Sequence, residues 1–151
     1  MAISQAMVTS FKVEILDGVH NFGTGVIRAG TGADTFKIAL YTSSATLSAA
    51  TTAYTTTDEV SSSGTNYTAG GKTLVISQVP TSSGTTAFLD FDDVTWDSAT
   101  ITSNGALIYN ATQGNKAVAV LAFGADKTST AGNFTIQFPA ATSTTAILRI
   151  A

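Results

Sequence analysis

Residues 35–40, Thr35-Phe36-Lys37-Ile38-Ala39-Leu40, decide the fold, because large apolar side chains recur there at every second position. A period of two is the pattern of a β-strand with one buried face. Similar alternation returns at 74–77, 87–92 and 134–138, and denser apolar runs occupy 107–109, 116–123 and 147–150. Such segments, separated by loops rich in Gly, Ser and Thr, predict a mainly β protein. We expect an antiparallel β-sandwich or jelly-roll-like fold with at least six strands.

A different period precedes these strands, and it indicates a helix. Four apolar residues recur three or four positions apart, as on one helix face: Val8, Phe11, Ile15 and Val19. Ser4 suits the N-cap and Gly18 the C-terminal stop, so we predict one α-helix from about Ser4 to Asp17. A strand is the alternative, because apolar and charged residues alternate over 11–15.

The whole chain, residues 1–151, is predicted to form a single domain of common size. An N-terminal helical segment occupies 1–22 and the β-sandwich occupies 34–151. The stretch 42–71 has the weakest pattern, and a loop of that length is usually functional or hides a pair of edge strands. The Gly-Thr-Gly stretches at 23–25 and 30–32 lack the context of a phosphate-binding loop and are interpreted as flexible connections.

Two short motifs predict changes of chain direction. Asn104-Gly105 predicts a tight hairpin or a bulge, and Gly114-Asn115 predicts a turn before the apolar run that follows it.

Charge is scarce in this chain. Charged residues make up 11% of it, against roughly 25% in an ordinary soluble domain. The net charge of -3 provides no basic surface for nucleic acid or anionic lipid, and the longest apolar run, 117–123, is too short to span a membrane. No segment resembles a targeting signal. We therefore expect no nucleic-acid or membrane partner. A surface with few charged residues is poorly protected from association, so this composition favours assembly with other proteins. The alternative is a monomer whose β surface is covered by threonine side chains.

The residue types that carry chemistry are few. The absence of Cys excludes disulfides and thiolate metal sites. His20 is the only histidine, and a Ser-His-Asp arrangement would need it together with Asp17 or Asp34. No Gly-x-Ser-x-Gly motif accompanies it, so we interpret His20 as a turn residue after the helix. We predict no enzymatic activity and no cofactor.

An acidic cluster is the best candidate for a cation site: Asp90, Asp92, Asp93 and Asp97. Carboxylates suit Ca²⁺, but the segment lacks the glycine and closing glutamate of an EF-hand. We interpret the cluster as a solvated strand face at a subunit rim and predict no bound metal. Trp96, near Phe91, fits a core or an interface better than a sugar-binding platform.

Three blocks of sequence carry a resemblance to a known class of proteins. The first runs from Met-Ala-Ile-Ser-Gln-Ala-Met at 1–7 to Leu-Asp-Gly-Val-His at 16–20. The second covers 34–42, 54–57 and 67–71, and the third covers 95–96, 105–110 and 116–120. Across nearly the whole chain, these blocks resemble small virion structural proteins of tailed bacteriophages, in particular capsid decoration (cement) proteins. None of them is a catalytic motif.

The resemblance implies a protein on the capsid surface of a virion, where it stabilises the head by binding the major capsid protein. It also implies a homotrimer, because decoration sites commonly lie on three-fold positions. From the apolar pattern we predict subunit contacts through Ile3, Met7 and Phe11, and through the loop around Tyr54 and Tyr67. The alternative is a tail-associated or fibre protein that contacts a host receptor or glycan through Tyr54, Tyr67 and Trp96.

Overall fold

The computed structural model describes residues 2–16, 18–23 and 33–151. This part of the chain contains eight strands and one helix, in the order β1 (Ala6–Met7), α1 (Thr9–Leu16), β2 (Phe36–Tyr41), β3 (Lys72–Thr73), β4 (Ile76–Ser83), β5 (Thr86–Phe91), β6 (Val94–Asn110), β7 (Lys116–Ile136) and β8 (Leu148–Ile150). The Gly-Thr-Gly stretches, apart from Gly23, lie outside the described residues, as does Asp17.

The strands form two antiparallel sheets. One sheet has five strands in the order β1-β7-β6-β2-β3, and the other has three in the order β4-β5-β8. The helix and both sheets contribute side chains to one hydrophobic core. The predicted fold class, a mainly β sandwich-like protein with a short N-terminal helix, is therefore confirmed.

The longest pair of strands, β6 and β7, joins segments that the sequence suggested were separate. The two strands pair from Val94 opposite Ile136 to Asn110 opposite Lys116. The predicted turn between them is present, with Gly114 and Asn115 both at positive φ, the conformation that Gly and Asn adopt most readily.

Asn104-Gly105 marks a bulge, because the register shifts between Ser103 and Gly105 within β6. A Cβ at Gly105 would lie 2.6 Å from the Leu121 carbonyl oxygen and 2.9 Å from Ile3. Only glycine allows this close approach.

The helix ends where predicted but begins later. Gly18 has a φ of 69°, its N–H donates to the Ile15 carbonyl at 3.1 Å, and the Val19 N–H donates to the Glu14 carbonyl at 2.9 Å. These are the bonds of a Schellman stop. The predicted start at Ser4 is wrong, because residues 6–7 pair with β7 and the Ser4 N–H donates to the Leu47 carbonyl.

The predicted apolar stripe does face the core. Val8 is fully buried and Phe11 is 2% exposed, while Ile15 packs against the core edge. Phe11 meets the Phe22 ring edge-on, and Phe22 stacks on Phe36 with centroids 4.1 Å apart. The helix is thereby attached to β2 through aromatic contacts.

The weakly patterned stretch 42–71 contains no hidden pair of strands. It makes single bridges to the sheets, such as Ala53 with Lys116 and Tyr41 with Glu59. Its apolar residues Leu47, Val60 and Tyr67 are buried. The segment is a long loop that folds back onto the five-stranded sheet.

Candidate functional site

The residues predicted as subunit contacts divide into two groups. Ile3, Met7 and Tyr54 are half-buried, whereas Phe11 and Tyr67 are each only 2% exposed. A side chain enclosed by its own chain offers no surface to a partner. The proposed contact roles of Phe11 and Tyr67 are therefore corrected: both residues belong to the protein's own core.

His20 follows the helix, as predicted, and its side chain lies inside a polar network. Its side chain is fully buried, with Nε2 2.7 Å from Glu14 Oε2 and Nδ1 3.0 Å from Asn110 Nδ2. Because the Asn110 amide nitrogen can only donate, Nδ1 accepts and the Nε2–H donates to Glu14. Lys116 completes the network through a 2.8 Å bond to Glu14 Oε1.

The network has a structural effect. Glu14 belongs to α1, Asn110 ends β6 and Lys116 begins β7, so the network joins the helix to the β6–β7 turn. Burial lowers the pKa of His20, which keeps the imidazole neutral. The Lys116 and His20 hydrogen bonds outweigh burial at Glu14 and lower the pKa of its carboxyl.

Asp34, one of the acids considered for a triad, lies near this network. Its Oδ2 accepts from the Asn110 side chain at 2.8 Å and from the Asn21 N–H at 3.0 Å. Asn110, not Asp34, occupies the Nδ1 side of His20. The pairing of His20 with Asp17 lies outside the described residues.

Glu59 organises the long loop, and the sequence analysis did not single it out. Its carboxylate accepts from the Tyr54 hydroxyl, the Tyr67 hydroxyl and the Gly70 N–H, each at 2.7 Å. The Tyr109 hydroxyl donates to the Gly70 carbonyl. The available signal was the acidic pair Asp58-Glu59, which holds the only charged residues of the Ser/Thr-rich stretch 42–71 and lies between two tyrosines.

Tyrosine side chains connect the long loop to the five-stranded sheet. The Tyr41 hydroxyl donates to the Thr55 carbonyl at 2.6 Å, and the Tyr54 ring stacks on Tyr109 at 4.7 Å. Of the four tyrosines of the chain, Tyr54 and Tyr67 belong to the stretch 42–71, and Tyr41 and Tyr109 bind it from β2 and β6.

The acidic cluster does not converge on one point. Asp90 is 5% exposed and accepts from the Phe91 N–H, and burial raises the pKa of its carboxyl. Asp93 accepts from the Phe138 N–H at 2.8 Å, while Asp92 and Asp97 are exposed. Within the described ranges, no three His, Asp or Glu residues are grouped so as to hold a metal ion.

Trp96 is a core residue. It is 1% exposed, between Tyr67 at 5.9 Å and Phe134 at 6.2 Å. The Lys72 ammonium lies 5.9 Å from its ring centroid. Since Trp96 and Tyr67 are both enclosed, they form no aromatic platform for a glycan.

Two surfaces remain as candidates for contact with other proteins. The first is the outer edge of β7, residues 122–136. On one side this stretch pairs with β6, and on the other β1 pairs only at positions 119 and 120. Among the described residues, the outer edge of β7 therefore has no strand partner.

The second surface is the Met7 groove, three adjoining hollows that share Met7 as a wall. Their volumes are about 180, 270 and 370 Å³. The groove lies between α1, β1 and β8, and its walls include Ile15, Leu148 and Ile150. Met7, which the sequence analysis predicted as a subunit contact, is half-buried in the wall of this groove, and the closing strand β8 forms part of the opposite wall.

Comparisons with protein-family models, with curated proteins and with solved structures each found no match. Over the described ranges, no helix has the length and apolar character needed to cross a membrane.

Proposed function

We propose that this chain is a structural protein of a tailed-phage particle, a head decoration protein that associates with copies of itself and binds the major capsid protein. The whole-chain sequence resemblance is the reason for naming a phage head. The structural observation that carries the proposal is the outer edge of β7.

An unpaired strand edge presents backbone N–H and C=O groups that can bind a strand from another chain. Soluble monomers commonly guard such an edge with charged residues. Over the fifteen positions 122–136, the only charged residues are Asp126 and Lys127. This edge therefore favours association between subunits.

The edge is also limited in length. Gly124 and Ala131 have positive φ, and the register with β6 shifts along this part of β7. Such irregularities bend a strand and end regular pairing. A short stretch between the two bends suits a defined oligomer better than open-ended aggregation.

A trimer is the form we propose, on the strength of the resemblance. In a three-fold ring each copy contacts its neighbours through two different patches. The outer edge of β7 supplies one of them. The receptor-binding alternative loses its aromatic platform, because Tyr67 and Trp96 are buried.

The proposal is tested by solution mass and by co-sedimentation with empty heads that lack the protein. We expect the wild-type chain to form trimers and to bind heads. Thr128→Lys and Thr130→Lys, at exposed positions of β7, should weaken self-association because they charge the edge. Ser62→Lys, at an exposed position of the loop, is the matched control and should leave the mass unchanged. A wild-type chain that stays monomeric and does not co-sediment with heads would disprove the proposal.

A further inference from the structure

The Met7 groove exposes apolar surface that the described part of the chain leaves uncovered. Ile150 is 50% exposed, and Met7 and Ile15 are only partly buried. The 180 Å³ hollow extends inward between α1 and the three-stranded sheet, past Phe88 and Leu148. An apolar cavity of about 150 Å³ holds a benzene molecule, so this hollow has room for one large apolar side chain.

Among the described residues, the charges that line the groove have a single sign. Lys12 and Arg149 line one of its hollows, and no described Asp or Glu lines any of the three. Neither cation forms an ion pair with a described carboxylate. Two of the chain's seven basic residues thus flank an apolar groove on a protein of net charge -3, which makes the groove complementary to an apolar segment bearing carboxylates.

A strand edge borders the same groove. β8 is an edge strand of the three-stranded sheet, and within the described ranges its one strand partner is β5. Its outer N–H and C=O groups can pair with an extended peptide, and the groove can receive alternate side chains of that peptide.

We infer that the Met7 groove binds an extended segment of a partner protein that places an apolar side chain between α1 and β8 and a carboxylate on Lys12 and Arg149. The inference rests on the proposed function, and within it the segment belongs to the major capsid protein. The self-association edge on β7 begins at position 122 and adjoins residues 119–121, which line one hollow of the groove, so the two proposed surfaces are neighbours on one subunit.

The test uses the full-length chain, empty heads and an array of overlapping peptides from the major capsid protein of the same particle. We expect the chain to bind peptides that alternate apolar and acidic residues. Ile150→Asp and the double variant Lys12→Glu with Arg149→Glu should each weaken peptide and head binding about tenfold or more, because they place like charges against the segment.

Val75→Glu is the matched control. Val75 is 59% exposed and lies outside the groove lining, so this variant also replaces an exposed apolar residue with a carboxylate. It should bind like the wild type. Thermal unfolding of every variant separates lost binding from lost folding.

The outcomes distinguish the two proposals. Head binding that is unchanged in the groove variants overturns the groove inference and leaves the proposed function standing. A wild-type chain that binds neither heads nor peptides overturns both. The chain could instead bind no peptide while dodecanoate displaces an apolar fluorescent dye from it. That result would show that the groove binds lipid and would also overturn the inference.

Discussion

Gly71 shows how closely the loop and the sheet approach each other. Its φ is 71°, and a Cβ there would lie 1.7 Å from the Ile38 carbonyl oxygen. Gly64 has a similar φ of 69°, but its Cβ would meet nothing within 4 Å. A side chain at Gly64 would only have to adopt the left-handed conformation, whereas one at Gly71 would also clash with the backbone of β2.

We expect Gly64→Ala to lower the free energy of unfolding by about 1 to 2 kcal/mol, the cost of the left-handed conformation. Gly71→Ala adds a clash with backbone atoms, so its loss should reach about 3 kcal/mol or more. Chemical denaturation of the two variants measures the difference. Equal losses would show that the loop can move away from β2.

Phe11 belongs at the same scale, because its burial reverses its predicted role. Replacement by Ala removes contacts with Phe22 and with His20, whose ring centroid is 4.8 Å away. We expect Phe11→Ala to cost about 3 to 5 kcal/mol. Val75→Ala, at a largely exposed position, should change stability by less than about 0.5 kcal/mol. A stable Phe11→Ala protein with impaired assembly would restore the contact role.

At the scale of elements, the long loop depends on tyrosine hydroxyls. The Tyr67 hydroxyl donates to Glu59 and also accepts from the buried Leu40 N–H of β2 at 2.9 Å. The Tyr54 hydroxyl donates to the same carboxylate. Removal of the Tyr67 hydroxyl therefore deprives a buried backbone N–H of its partner, whereas removal of the Tyr54 hydroxyl does not.

Tyr67→Phe leaves the Leu40 N–H without a partner, and we expect it to cost about 1 to 3 kcal/mol. Tyr54→Phe removes one hydrogen bond from a half-buried site and should cost about 0.5 to 1.5 kcal/mol. Urea denaturation ranks the two variants, and limited proteolysis within 42–71 reports loosening of the loop. The opposite ranking would mean that Glu59, and not the Leu40 amide, is the main anchor.

At the scale of the whole molecule, the tyrosines predict sensitivity to alkali. Burial raises the pKa of all four above the ordinary value of 10, that of Tyr109 to about 12. Above pH 10 the unfolded chain loses phenolic protons that the folded chain retains, so the free energy of unfolding falls as pH rises. This contribution is fully present below pH 10 and is lost as the pH passes the folded-state values.

The measurement follows tyrosinate absorbance and near-ultraviolet circular dichroism through the same alkaline titration. We expect the phenols to ionise together with the loss of tertiary structure. Ionisation close to pH 10 with intact dichroism would show that the phenols are accessible in the folded protein.

The strongest sequence predictions concerned local structure. The period-two alternation at 35–40 located β2, and Gly114-Asn115 located the β6–β7 turn, because these features depend on backbone conformation and on which face of a strand is apolar. Gly18 ended the helix for the same local reason. The start of the helix was missed, because pairing of residues 6–7 with β7 competes with helix formation over that stretch.

The sequence by itself therefore determined the fold class, the positions of most strands and the scarcity of charge. Only the tertiary structure decided what covers each apolar face. The pattern of apolar residues in the sequence is the same whether a side chain packs inside its own chain or against another chain. Long-range contacts from β2, β6 and β7 decide the question for Phe11, Tyr67 and Trp96, which are buried. The Met7 groove likewise exists only because β8, at the far end of the sequence, meets β1 and α1 at the edges of two sheets.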